Sequence, residues 1–327
     1  MGAPLLTVRN LTVAFPAGGA LVPVVERASF DVAAGEIVAL VGESGSGKSV
    51  TAFALLDLVP EPGRTTEGEI VFEGRDVRRL PPAELRKLRG GGIGLVFQEP
   101  GSALDPVRTI GDELVGVLRR HRGLTKAEAL REAVEWLRRV SLPDPERRLL
   151  DLPYRMSGGM RQRATIALAL AGGPRLLVAD EPTTALDVTI QAQILALLER
   201  LRHDLGLAVL LITHDLGVVA EVADRAVVMY AGEIVEEAGV PELFASPLHP
   251  YTRALLASRP DATAGRRRLA AIDGTVPEPD ERADACLFAP RCPDALPACL
   301  GGRPLLRPFA AGRRVACIRA GGEGPAA

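Results

Sequence analysis

Apolar and polar residues alternate along this chain in blocks whose lengths switch between those of strands and those of helices. Leu6-Thr7-Val8 and Leu11-Thr12-Val13 carry β-favouring side chains. Residues 5–41 therefore read as strands, closing on Glu36-Ile37-Val38-Ala39-Leu40-Val41, a buried run that ends at glycine. A glycine-rich segment over 42–47 leads into residues 48–58, which have helical composition and stop ahead of Pro60. Residues 67–80 predict a strand pair, Glu69-Ile70-Val71-Phe72 with the turn Glu73-Gly74, and 94–98 a further buried strand. From about 112 to 171 the pattern is helical. Within 126–140, Ala129, Ala133, Val134, Leu137 and Val140 fall on one face. A second parallel-sheet core follows: strand 175–180, helix 190–205 and strand 208–213, with 225–230 and 233–235 adding another strand pair. Such alternation predicts an α/β fold, a doubly wound sheet with right-handed crossovers.

Beyond about Ser258 the texture changes. Nine of the 26 prolines fall in the last 69 residues, arginine is dense and helical periodicity disappears, which predicts a separate, loop-rich C-terminal module. The 327 residues are enough for one large α/β domain plus such an appendage. A net charge of −2 does not suit a nucleic-acid binder with a broad basic face, so no nucleic acid is expected as a partner. No apolar run approaches the ~18 residues of a spanning helix. The start, Met1-Gly2-Ala3-Pro4, lacks the basic region and long apolar core of a secretory signal. A cytosolic chain that reaches a membrane only through partner subunits is the expectation.

Gly42-Glu43-Ser44-Gly45-Ser46-Gly47-Lys48-Ser49 fits G-x-x-x-x-G-K-[ST]. Glycines at these places let consecutive backbone N–H groups turn inward around phosphate oxygens. Lys48 is expected to reach the β- and γ-phosphates and Ser49 to ligate Mg²⁺. The helix that begins at Lys48 points its positive end at the anion, and Val50 in its first turn is expected to bind the nucleotide as well. An ordinary Gly/Ser turn would show similar residues, but the strand before and the helix after favour phosphate. Taken alone, this motif implies a nucleoside triphosphatase.

Leu176-Leu177-Val178-Ala179-Asp180-Glu181 is a buried apolar strand ending in two carboxylates, placed to face the phosphate loop across the same crevice. Asp180 is expected to hold Mg²⁺, directly or through water, and Glu181 to orient and polarise the attacking water. An exposed Asp-Glu turn before Pro182 would be the ordinary reading without the upstream loop.

Met156-Ser157-Gly158-Gly159-Met160-Arg161-Gln162-Arg163 opens a helix shortly before that strand and resembles the signature motif of ABC ATPases. The usual fifth residue of that motif is Gln and here it is Met160, a departure shared by ATPases of peptide importers. Further matches follow in the family's order. Gln98 sits where the Q-loop glutamine senses Mg²⁺ and water, Ala185-Leu186-Asp187 matches the D-loop, and His214 matches the switch histidine. Phe15 resembles the aromatic that stacks on adenine, with a core phenylalanine as the equal alternative. Gln98-Glu99-Pro100-Gly101-Ser102-Ala103-Leu104-Asp105-Pro106 and His249-Pro250-Tyr251-Thr252-Arg253-Ala254-Leu255-Leu256 resemble oligopeptide and dipeptide importer ATPases, and the likeness runs from about 5 to 320.

That resemblance implies a P-loop NTPase fold of ABC type, with a RecA-like core, a β-subdomain and a helical signature subdomain at about 100–171. The nucleotide-binding domain would cover 1–258 and a small Cys-containing extension 259–327. It implies two cassettes packed head to tail, with Ser157, Gly158 and Gly159 of each donating to the γ-phosphate held by the other. It implies ATP hydrolysis driving import, with two transmembrane permease subunits, a second homologous ATPase in a heterodimer and an extracytoplasmic peptide-binding protein as partners. The chain would sit at the cytoplasmic face of the membrane. The segment after Gln98 would receive a permease coupling helix. Nickel and other small-solute importers share these motifs. A DNA-repair ABC ATPase would need long insertions where only about 110 residues separate Lys48 from Ser157, and a small-molecule kinase would leave Asp187 and His214 unexplained.

Cys286, Cys292, Cys299 and Cys317 are spaced C-x₅-C-x₆-C-x₁₇-C among prolines 290, 293 and 297. In a reducing compartment, clustered thiols favour metal over disulfides. The spacing fits neither common zinc ribbons nor bacterial ferredoxins, which leaves Zn²⁺ and [4Fe–4S] both open. The resemblance tilts the expectation toward [4Fe–4S].

Overall fold

The computed structural model describes residues 3–184, 186–259, 272–310 and 312–320. Strand β1 (Leu6–Ala17) runs unbroken through both short β segments expected there. The polar Arg9-Asn10 pair between them marks a register shift in the ladder, with Asn10 at φ 48°, and not a chain break. There follow β2 (Ala20–Val32), the wholly buried β3 (Ile37–Val41) and α1 (Lys48–Ala54). Helix α1 ends earlier than its composition suggests, and Asp57 beyond it is left-handed at φ 52°. Next come β4 (Arg64–Phe72), β5 (Arg75–Asp76), α2 (Pro82–Gly91), β6 (Ile93–Val96), α3 (Pro100–Ala103), α4 (Ile110–Arg122), α5 (Lys126–Arg139) and α6 (Pro145–Arg148). The central elements are α7 (Gly158–Ala171), β7 (Leu176–Asp180), α8 (Val188–Leu205), β8 (Ala208–Thr213), α9 (Leu216–Val222), β9 (Arg225–Tyr230) and β10 (Glu233–Gly239). The chain continues through α10 (Val240–Ala245), α11 (Pro250–Ala257), β11 (Arg307–Ala310) and β12 (Arg313–Val315).

These elements form two compact units. One comprises Val32–Glu36 and Arg79–Ile212, with the residues up to Leu5. In it β6, β7 and β8 run parallel, pairing Val96 with Ala179 and Asp180 with Ile212. Parallel strands covered on both faces need continuous apolar runs, and β7 and β8 are buried at every position. Helices α4 and α5 begin cleanly because the start of each supplies a side-chain acceptor for an orphan N–H. Thr109 Oγ1 accepts from Asp112 N–H, and Thr125 with Glu128 forms a reciprocal capping box. Helix α5 buries Ala129, Ala133, Leu137 and also Trp136, while Val134 from the expected stripe is only half-buried. The bulky indole, not the smaller valine, takes the core position.

The other unit comprises Leu6–Asp31, Ile37–Arg78 and the described residues from Thr213 onward. It carries an antiparallel sheet ordered β2-β1-β4-β5. It also holds β3 parallel to β9, and β9 antiparallel to β10. Described residues from 272 onward join this core directly. Strand β12 adds to the edge of β10, opposing Val315 to Glu236, and β11 pairs with β12. Leu287 and Phe288 are buried with Ala39, Val41, Tyr230 and Tyr251 in one apolar cluster. The described C-terminal residues are mostly loop, and Leu287 and Phe288 lie in the core of this unit.

Candidate functional site

The loop between β3 and α1 is shaped by glycine. Gly45 and Gly47 have φ of 78° and 101°, the left-handed region that glycine enters at little cost. At Gly42 a Cβ would lie 2.1 Å from the Met229 carbonyl oxygen, so the backbone approach there demands glycine. Ser44 and Gly45 are exposed, Ser46, Gly47 and Lys48 are buried, and Ser49 and Val50 are intermediate. Lys48 Nζ donates to the Gly42 and Glu43 carbonyls at 2.8 and 2.9 Å, and Thr51 Oγ1 donates to the Gly47 carbonyl at 2.9 Å. An ammonium held inside a ring of turned backbone is a concave cationic site, which suits a polyphosphate.

Glu43 is itself gripped. Its N–H donates to the Tyr251 hydroxyl at 2.9 Å, and its carboxylate accepts from Arg291 Nη1 at 2.8 Å and Nη2 at 3.2 Å. Arg291 also donates to the Asp273 and Ile272 carbonyls and lies 5.7 Å over the Tyr230 ring. Burial would lower the guanidinium's pKa, but the hydrogen bonds to Glu43 and Tyr230 outweigh it and raise the value. Burial drives the Tyr251 hydroxyl far above its usual range, so it stays protonated. Neither Arg291 nor Tyr230 stood out in the sequence. Glu43 and Arg291 are 248 positions apart, and no local pattern announces their pairing.

Phe15 is half-buried with its ring against Gly63, where a Cβ would come within 2.4 Å of two ring carbons. His214 is exposed just past β8, and Asp215 beside it caps α9 by accepting from Gly217 N–H at 2.7 Å.

In the other unit, Asp180 ends β7 with 3% exposure. Glu181 follows with φ 45°, an uncommon conformation for a non-glycine residue, held by its N–H donating to the Ile212 carbonyl at 2.9 Å. The twist turns the Glu181 side chain toward Gln98, whose Nε2 donates to Oε2 at 3.1 Å, while Thr184 Oγ1 donates to the same oxygen at 2.7 Å. Gln98 lies two residues past the end of β6, in exposed loop and not in the strand that the sequence suggested. Gln98, Glu181 and Thr184 therefore form one polar group, and the sequence reading had omitted Thr184.

Ser157 caps α7, its Oγ accepting from Met160 N–H at 3.3 Å. Asp187 caps α8, accepting from Ile190 N–H at 2.9 Å. The two starts touch: a Cβ on Gly158 would meet Leu186 at 3.6 Å, and one on Gly159 would meet Ile190 at 2.8 Å. The small residues of the signature turn let α7 begin against the start of α8. Ala185, between Thr184 and Leu186, lies outside the described residues.

Ser49 in one unit offers a hydroxyl oxygen, and Gln98 and Asp180 in the other offer amide and carboxylate oxygens, each a hard donor of the kind that Mg²⁺ prefers. The cysteines fit a metal less well. All four line one small cavity with His249, Phe288 and Asp294, and none forms a disulfide. Cys286 N–H donates to the Cys299 carbonyl at 2.9 Å, and Leu296 N–H to Cys299 Sγ at 3.4 Å. Burial pushes the Cys286 and Cys292 thiols up, with Cys299 and Cys317 adding to the effect. Among the described residues no set of three His, Cys, Asp or Glu is grouped as a metal ion requires.

Residues 25–184 match the family model described as ABC transporter, and residues 235–299 match the oligopeptide/dipeptide transporter C-terminal region. A Sinorhizobium fredii chain named "Probable peptide ABC transporter ATP-binding protein y4tR" is 50% identical over 96% of this chain and 95% of its own. This chain belongs to the ABC transporter ATP-binding family. The dipeptide transport ATP-binding protein DppD of Escherichia coli is 44% identical, with 96% of each chain covered. The dimeric, post-hydrolysis structure of the ATP-binding cassette MJ0796 bound to ADP and Pi superposes with a TM-score of 0.63. It has 30% identity and covers 72% of this chain and 98% of that one. The fold is thus the ABC ATPase cassette, and ATP hydrolysis is the activity of this family member. Among the described residues, no helix is long and apolar enough to cross a membrane.

Proposed function

We propose that this chain is the ATPase subunit that powers import of di- or oligopeptides, held at the cytoplasmic face of a membrane by two permease subunits. A second homologous ATPase and an extracytoplasmic peptide-binding protein complete the assembly. The observation that carries the peptide assignment is the match of residues 235–299 to the oligopeptide/dipeptide transporter C-terminal region, since the cassette motifs alone serve many cargoes.

In this reading ATP is the substrate, bound with Mg²⁺, which neutralises phosphate charge and orients the β- and γ-oxygens. Gly42, Glu43, Ser44, Gly45, Ser46, Gly47 and Val50 shape the phosphate loop, and Lys48 and Ser49 supply its charge and hydroxyl. Phe15 offers a face to adenine. Glu181 accepts a proton from the attacking water, and Gln98 and Thr184 fix the carboxylate that does so. Asp180 serves the metal and His214 the γ-phosphate. Ser157, Gly158 and Gly159 act on the nucleotide of a facing subunit, and Asp187 lines that contact. The hydrogen bonds that Gln98 and Thr184 donate to one Glu181 oxygen support this reading, because they aim the carboxylate before substrate arrives.

ATP-dependent uptake of labelled di- and oligopeptides by vesicles holding the whole complex tests the assignment. Uptake should stop with Lys48→Ala and compete with unlabelled peptide. Uptake of nickel or another small solute, with none of peptide, would replace the cargo. We further infer that Cys286, Cys292, Cys299 and Cys317, which line one cavity, are the residues that would hold [4Fe–4S], or alternatively Zn²⁺. Iron and sulfide, or zinc, in anaerobically purified protein would support this, and metal-free active protein would remove it.

A further inference from the structure

We propose that Arg291 is a positioning residue for the phosphate loop, neutralising and fixing Glu43 so that the loop accepts a triphosphate. This rests on the reading of Gly42–Ser49 as the triphosphate loop. The difficulty it resolves is electrostatic. A loop built to bind a polyanion carries a carboxylate at its second residue, and an uncompensated Glu43 would repel the phosphates it lies beside. The two-pronged guanidinium cancels that charge in place, and planar fork-to-carboxylate pairing also fixes its direction.

Side chains from three separate residues hold the loop at Glu43. The Glu43 amide donates to Tyr251, its carbonyl accepts from Lys48 Nζ and its carboxylate accepts from Arg291. Two of those three partners stand outside the loop, and both come from residues beyond 249. Arg291 is held in turn by the Asp273 and Ile272 carbonyls, and its side chain is only 6% exposed, against 25% for Glu43. Those carbonyl contacts tie Arg291 to the C-terminal segment. The fork to Glu43 acts on the loop.

The distinguishing consequence is suppression. In the full-length chain with Mg²⁺, Arg291→Ala should weaken binding of a fluorescent ATP analogue by about tenfold or more, the loss expected for a charge-assisted pair. Adding Glu43→Gln to that variant should restore most of the affinity, because the bare charge is gone. Arg291→Lys, which keeps the charge with one prong, should fall between. If Arg291→Ala does not fold, Arg291→Gln, whose amide reaches the place of Nε and can keep the bond to the Asp273 carbonyl, takes its place under the same criterion. A double variant as weak as the Arg291 single variant, or a single variant with wild-type affinity, overturns the proposal. Lys48→Ala separates the two levels of argument: unchanged binding there would sink the triphosphate loop itself, whereas lost binding leaves only the role of Arg291 in question.

Discussion

Replacing Glu181 by glutamine exchanges a carboxylate oxygen for an amide nitrogen of nearly the same size. In the structure both local donors, Gln98 Nε2 at 3.1 Å and Thr184 Oγ1 at 2.7 Å, converge on the single oxygen Oε2. A glutamine amide can turn its carbonyl oxygen into that position and keep both hydrogen bonds. The backbone of residue 181 remains anchored to the Ile212 carbonyl. Fold and nucleotide binding should therefore survive, with a melting temperature close to wild type. What is lost is the negative charge and basicity that would take a proton from water. General-base contributions of roughly 10²- to 10⁴-fold correspond to about 3–5 kcal/mol of barrier. We expect kcat for ATP in the whole complex to fall by that factor while the ATP dissociation constant changes little, so that an ATP-loaded closed form accumulates. Phosphate release under saturating ATP measures the first, and a fluorescent analogue under single-turnover conditions the second. Wild-type turnover in Glu181→Gln would refute the assignment of the base, whatever the binding result.

His249 is buried neutral, and burial lowers its pKa to about 3 in the folded chain. Because the unfolded imidazole takes up a proton near 6.5, stability should fall as pH drops from about 6.5 toward 3, contributing about 2 kcal/mol between pH 7 and 5. His249→Asn preserves a side-chain acceptor for the Tyr251 N–H that caps α11, and chemical unfolding at the two pH values should show that part of the acid sensitivity gone. An unchanged pH slope would discard the argument. Phe288→Ala removes a ring that is 2% exposed and packed 5.2 Å from Tyr230 and 5.4 Å from Tyr251. It should cost about 3–5 kcal/mol in denaturant unfolding of the whole chain, and a loss under 1 kcal/mol would show that the C-terminal segment adds nothing to the core.

The cassette motifs were legible because each is local. A phosphate loop needs glycine at φ values that glycine alone adopts freely, and a helix start needs an acceptor such as Ser157 or Asp187 within three residues. The strands β7 and β8 were legible because burial on both faces requires an unbroken apolar run. Less legible were the ends of elements. Helix α1 stops at Ala54, and Gln98 lies past β6, since tertiary contacts and not residue preference fix those limits. The helical face of α5 was read correctly at Ala129, Ala133 and Leu137 but missed Trp136, which only the packed interior selects.

By itself, the order of residues determined the glycine-lined turn at Gly42–Ser49, the adjacent carboxylates Asp180 and Glu181, and the serine-glycine helix start at Ser157, because each lies within a few consecutive positions. Only the tertiary structure decided that Arg291 meets Glu43, that Thr184 joins Gln98 on one Glu181 oxygen, and that Phe288 packs against Tyr230. It also decided that the four cysteines, unevenly spaced along the chain, line one cavity. Such contacts depend on where distant segments come to rest as apolar surface is buried, and a one-dimensional pattern carries no record of that distance.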